Sequence, residues 1–76
     1  MNKVKRKKIS RAIETINVVK SQVESILLEE QIAFNNTPEK LQDSEKGDKM
    51  QSCISQLEDA VDDLESAIES LQEAAL

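Results

Sequence analysis

The sequence predicts an all-α fold in which two long helices form an antiparallel two-helix, coiled-coil-like hairpin. The chain of 76 residues has one glycine and one proline, 33% of its residues are charged, and its apolar residues recur at spacings of three and four. These patterns predict a helix over about residues 3–35, a connector with a short helical turn over 36–44, and a helix over about 45–75. A chain of this length makes a single domain.

The first helix carries its apolar residues along one side, because they are spaced as successive turns of a helix are. One heptad column contains Ile9, Ile16 and Val23, and a second contains Ala12, Val19, Ile26 and Ala33, with Ile13 beside them. Glu30 interrupts the first column. The apolar side is therefore expected to weaken toward the connector.

The connector has its own start and stop signals. Asn36 and Pro38 predict the end of the first helix, because Asn tolerates the left-handed conformation that ends helices and the residue before Pro is pushed out of the α region. Thr37 is expected to cap the short turn that starts at Pro38, and Asp43 or Ser44 to cap the second long helix.

Gly47 follows early in the second helix, where glycine costs about 1 kcal/mol relative to alanine. This cost predicts either a close approach of another backbone or fraying of the helix end. Phe34, Leu41 and Met50 lie close to the bend. They are expected either to close the end of the helical bundle or to form an exposed tip that binds a partner, with Phe34 as the aromatic anchor.

The second helix is the more regular one, since LEDAVDD, LESAIES and LQEAAL are successive copies of a seven-residue unit. Its predicted apolar side consists of Met50, Cys53, Ile54, Leu57, Ala60, Val61, Leu64, Ala67, Ile68, Leu71 and Ala75. Three apolar positions per heptad are more than a two-stranded seam needs, which favours contact with more than one neighbour. The small residues Ala60, Ala67 and Ala74 would let one neighbour approach closely.

The charges are segregated along the chain. Residues 1–20 carry seven basic side chains and one acidic one, whereas residues 50–76 carry seven acidic side chains and no basic one. An antiparallel hairpin brings these segments side by side. Because one hairpin leaves half of each apolar side uncovered, we expect two copies to form a homodimer, a four-helix bundle. Its predicted core residues are Ile9, Ile13, Ile16, Val23, Ile54, Leu57, Val61, Leu64, Ile68 and Leu71.

The composition argues against catalysis. The chain has no histidine, and its one cysteine, Cys53, is expected to be buried on the apolar side without a basic partner that would activate it. We therefore expect no enzyme activity, no cofactor and no metal. The longest apolar runs, such as Ile26–Leu28, have three residues and are far shorter than the roughly 18–20 residues that span a bilayer, and no signal-peptide pattern follows the basic start. A soluble protein of the bacterial cytoplasm is expected.

The connector carries a resemblance. The chain resembles a group of small uncharacterised phage and prophage proteins of Gram-positive bacteria. The resemblance lies in four motifs that follow in the same order: an acidic EEQ, an aromatic residue, N-x-P-E-x-L-Q and S-E-K-G. The matching residues are Glu29, Glu30, Gln31, Phe34, Asn36, Pro38, Glu39, Leu41, Gln42, Ser44, Glu45, Lys46 and Gly47. The resemblance implies an origin in a mobile element, and by analogy an inhibitor that binds a host or antiviral-defence protein.

Three functions follow as hypotheses. The first is a non-enzymatic protein-binding module, whose candidate contacts are Phe34, Leu41, Gly47, Asp59, Asp62, Asp63 and Glu69; the acidic ones, with Ser66 and Glu73, could imitate the phosphates of DNA. The second is a structural coiled coil whose only partner is itself. The third is a nucleic-acid binder that uses the basic segment NKVKRKKISR, against which stand its lack of aromatic residues and the acidic second helix.

Overall fold

The computed structural model describes residues 1–76 and contains only helices and their connections. Helix α1 spans Lys3–Asn35, the short helix α2 spans Glu39–Gln42, and α3 spans Glu45–Ala74. The sequence therefore folds as the all-α class that its composition predicts. None of the three helices combines the length and the hydropathy that a membrane-spanning segment requires.

Helix α1 ends differently from the prediction. Asn36 keeps an ordinary right-handed conformation, with φ of −85°, and donates its backbone N–H to the carbonyl of Ile32; no residue in the chain has a positive φ. The Thr37 hydroxyl donates to the carbonyl of Ala33 at 2.8 Å. Thr37 therefore completes α1 instead of capping α2, whose N-cap position is occupied by Pro38 without a side-chain hydrogen bond.

Helix α3 begins at a serine cap. The N–H of Gly47 donates to the Ser44 hydroxyl at 3.5 Å, so that Ser44 is the cap and Asp43 is not. Gly47 is one of two buried residues in the chain. A Cβ on Gly47 would overlap the backbone carbonyl groups of Gln42 and Leu41. The carbonyl oxygen of Leu41, for example, would lie only 2.6 Å from that Cβ. The backbone of α2 thus approaches Gly47 closely, and fraying is not needed to explain this glycine.

The two long helices pack antiparallel. Lys20 lies near the middle of α1 and its ammonium group is 3.6 Å from a carboxylate oxygen of Glu65, while the hydroxyl oxygen of Thr37, past the end of α1, lies 3.8 Å from the sulfur of Met50 near the start of α3. The result is a rod with principal extents of 58 × 15 × 12 Å. In this register the last residues of α3 lie beside about residues 9–13 of α1, at the end of the rod away from the connector.

Half-buried side chains mark the seam between the helices. They alternate at spacings of three and four, as the a and d positions of a coiled coil do. The seam residues are Ile9, Ile13, Ile16, Lys20, Val23, Leu27, Glu30 and Phe34 on α1, and Met50, Ile54, Leu57, Val61, Leu64, Ile68 and Leu71 on α3, followed by Ala75 at the C-cap of α3. All ten predicted core residues lie in it. Within one hairpin, however, only Ile68 among them is buried, at 8% exposure.

The second predicted column of α1 stays out of this seam. Ala12, Val19, Ile26 and Ala33 are exposed, and the seam contains the neighbouring column of Ile13, Lys20, Leu27 and Phe34 in their place. Two helices in contact bury only two columns each. The third apolar column, on α3 as on α1, is therefore left beside the seam.

Candidate partner-binding surfaces

The predicted acidic residues form one exposed surface, which we call the acidic ridge. It consists of Asp59, Asp62, Asp63, Glu69 and Glu73, all exposed on the side of α3 that faces away from α1. None of the five forms an ion pair, because the chain has only two, Lys20 with Glu65 and Lys49 with Glu45. The ridge thus presents five uncompensated negative charges to solvent.

The basic residues of α1 also remain without acidic partners. Lys3, Lys5, Arg6, Lys7, Lys8 and Arg11, which we call the basic segment, are exposed and form no ion pair. The antiparallel direction does bring oppositely charged segments to the same end of the rod, but only Lys20 and Glu65 are close enough to pair. Exposed pairs of this kind contribute at most about 1 kcal/mol, so packing, and not ion pairing, holds the helices together.

The three candidate contacts around the connector differ in exposure. Phe34 is half-buried at the end of the seam, Leu41 is 44% exposed, and Gly47 is buried. The Phe34 side chain is thus only partly accessible to a partner, and the buried Gly47 offers no accessible surface to one. Of the three, Leu41 is the side chain that the folded hairpin presents most openly.

Gln42 is the connector residue that sequence reasoning missed. Its side-chain amide donates two hydrogen bonds, to the carbonyl of Phe34 and to the carbonyl of Thr37, both at 3.0 Å. Because these carbonyls lie at the end of α1, the amide ties α2 back onto α1. A glutamine in a polar connector gives no sign of this role until the chain is folded back.

The two broad faces of the hairpin are unlike each other. In an antiparallel pair, a twofold axis perpendicular to the helices relates one helix to the other. Equivalent flanks of the two helices therefore lie together on one face of the hairpin. On one flank, the apolar face, lie Ala12, Val19, Ile26, Ala33, Cys53, Ala60, Ala67 and Ala74. On the other flank, the polar face, lie Ser10, Asn17, Glu24, Gln31, Gln51, Glu58, Glu65 and Gln72.

Cys53 corrects one expectation. Its thiol is exposed, because Cys53 lies on the apolar face and the neighbouring Ile54 takes the place in the seam. No group of three cysteine, aspartate or glutamate side chains is arranged to hold a metal ion. The surfaces that remain as candidates for function are the acidic ridge, the basic segment and the apolar face.

Comparisons of the chain with protein-family models, with curated proteins and with solved structures find no match. Function must therefore be argued from these surfaces and from the fold.

Proposed function

We propose that the chain is a non-enzymatic protein-binding module of phage or prophage origin that inhibits a host or antiviral-defence protein in the bacterial cytoplasm. The phage origin depends on the resemblance of the connector alone. The acidic ridge is the observation that carries the binding function, since its charges are exposed and unpaired. The expected partner surface is basic, such as the groove of a protein that binds nucleic acid.

Electrostatics explain how such a ridge could work. Charge complementarity raises the rate of encounter and selects the partner, while neighbouring uncharged contacts add affinity. Ser66 and Ser70, which are exposed beside the ridge on the same side of α3, could supply such contacts. We further propose that the working unit is a homodimer, a four-helix bundle, because a single hairpin buries only two of its 76 residues.

Charge reversal on the ridge tests the proposal. The full chain on beads is expected to recover one dominant protein from a host lysate, and the variant D62K/D63K is expected to recover at least tenfold less, because two attractive charges become repulsive. The variant E14K/E24K changes the net charge equally but on α1, and should capture as the original does. Helicity measured by circular dichroism should be the same for all three. Equal loss in both variants would mean that the ridge is not the contact surface.

A nucleic-acid binder is the second candidate, and the exposed, unpaired basic segment is the observation that favours it. This candidate predicts a gel shift with duplex or single-stranded nucleic acid at about 50 mM salt that fades as salt rises, because phosphate contacts release counterions. The variant K7E/K8E should abolish the shift, while K46E/K49E at the other end of the rod should preserve it. Absence of a shift at low salt would remove this candidate.

A self-associating structural coiled coil is the third. It is favoured by the apolar face, and it differs from the first proposal in one result: the dimer forms, but the beads recover nothing from the lysate beyond the chain itself.

A further inference from the structure

No other part of a single hairpin packs against the apolar face. Each of its eight positions is apolar or a thiol, and all of them except Ala60 are exposed to solvent. We propose that a second copy of the chain covers this face, with its connector at the opposite end of the rod and the polar face of each copy turned to solvent. This inference deepens the self-association in the proposed function and rests on it.

The exposed surface area of the chain is consistent with a second copy as the partner. The chain exposes 5752 Å², whereas a compact monomer of 8.5 kDa is expected to expose about 4,700 Å². The excess is about 1,000 Å². A face of 58 by 15 Å covers about 900 Å², which is near the roughly 800 Å² per partner that specific interfaces bury. One further copy is therefore enough to remove the excess.

The side chains on the apolar face suit a packed layer of helices. On α1 the larger members Val19 and Ile26 are 39% and 47% exposed. On α3 the face is made of Cys53 and three alanines, which let another helix approach closely. The polar face offers no such layer, since its residues are serine, asparagine, glutamine and glutamate. Because only the apolar face suits such packing, it is the face of the hairpin that contacts the second copy.

Charge decides the direction in which the second copy lies. The half of the rod away from the connector comprises residues 1–20, with seven basic and one acidic side chain, and residues 64–76, with three acidic ones, for a net charge of +3. The connector half, residues 21–63, has eleven acidic and three basic side chains, for −8. If the two connectors lie at opposite ends, the half with a net charge of +3 in one copy faces the half with −8 in the other. If the connectors lie together, the two halves with −8 face each other and repel.

The first experiment tests the face. Sedimentation of the full chain should show a dimer at micromolar concentration. In the variant A67K a lysine enters the apolar face, and the dimer should dissociate at least tenfold more readily, because the interface would bury an unpaired charge. The variant Q72K adds the same charge to the polar face of the same helix and should leave the dissociation constant unchanged. Equal weakening by both, or by neither, would overturn the choice of face.

A second measurement tests the same face without a charge substitution. The exposed Cys53 thiol of the unmodified chain should react with a thiol reagent more slowly as the chain concentration rises through the dissociation constant, because the second copy covers it. A reaction rate independent of concentration over a range in which sedimentation shows the dimer to form would also overturn the choice of face.

The direction is tested by a distance. With Cys53→Ala to remove the native thiol and Gln51→Cys on the polar face, a spin label on each copy lies outside the interface. Opposite connectors place the two labels about 40 Å apart, given 1.5 Å of rise per residue from the middle of the rod. Connectors at the same end would place them about 20 Å apart, the thickness of two helix layers, and that result would overturn the direction.

The outcomes also separate this inference from the proposed function. A monomer in sedimentation overturns the inference and the proposed homodimer, while capture by the acidic ridge can still succeed. A dimer of the proposed geometry together with failed capture supports the inference and removes the inhibitor. The two sets of variants do not share a residue.

Discussion

Replacing Gly47 by alanine is expected to lower the free energy of unfolding by about 1–3 kcal/mol, the usual cost of forcing extra atoms into a packed site. Alanine is the better helix former by about 1 kcal/mol, so propensity alone predicts the opposite sign. The overlap prevails because the added Cβ would meet main-chain atoms of Leu41 and Gln42, which cannot swing aside as the end of a side chain can. A core of this size supplies only about 3–5 kcal/mol, so the loss would remove a large share of the stability.

Urea denaturation followed by circular dichroism measures this, at one fixed protein concentration because self-association adds to stability. The control is Ser52→Ala, which replaces an exposed residue of the same helix and should change stability by no more than about 0.5 kcal/mol, and upward. If the Gly47 variant were also stabilised, α2 would not lie against α3 as described. The glycine would then mark a frayed helix end.

The regular parts of this fold were accessible from sequence because they depend on local spacing. The seam of α3 follows from its seven-residue repeat, and Ser44 caps α3 as one of the two residues predicted for that role. On α1 the pattern was ambiguous, since apolar residues occupy three neighbouring columns and the column of Ile9 and Val23 can form a seam with either of the other two. Pairing with α3 selected the column of Ile13 and Leu27 and left that of Val19 and Ile26 exposed.

The connector was less predictable, because polar side chains there choose among partners that only the folded chain supplies. The Thr37 hydroxyl can cap the following turn or donate back to the preceding one, and it donates back, to Ala33. The two interpretations of Gly47 could be separated only by the position of α2. For the candidate surfaces, sequence placed the acidic residues on one ridge and brought the two charged segments to the same end, but it could not show that only Lys20 and Glu65 would pair across the helices.

Replacing Gln42 by glutamate is the second substitution with a large expected effect, a loss of about 2–4 kcal/mol at neutral pH. Two hydrogen bonds to the carbonyls of Phe34 and Thr37 would disappear, each contributing about 1 kcal/mol, and a carboxylate would face two carbonyl oxygens in a half-buried place. The matched control is Gln51→Glu, the same chemical change at an exposed position of α3, where surface substitutions shift stability by about 0.5 kcal/mol or less.

Denaturation of the two variants side by side decides whether the amide of Gln42 holds the connector. Equal, small losses would mean that the hydrogen bonds to α1 contribute little and that packing of α2 against α3 is sufficient. The same pair also separates the surfaces. Since the acidic ridge lies on α3 away from the connector, the fraction of Gln42→Glu chains that remains folded should still capture the partner of the ridge. Loss of capture in folded chains would instead place the contact at the connector, where Leu41 is exposed.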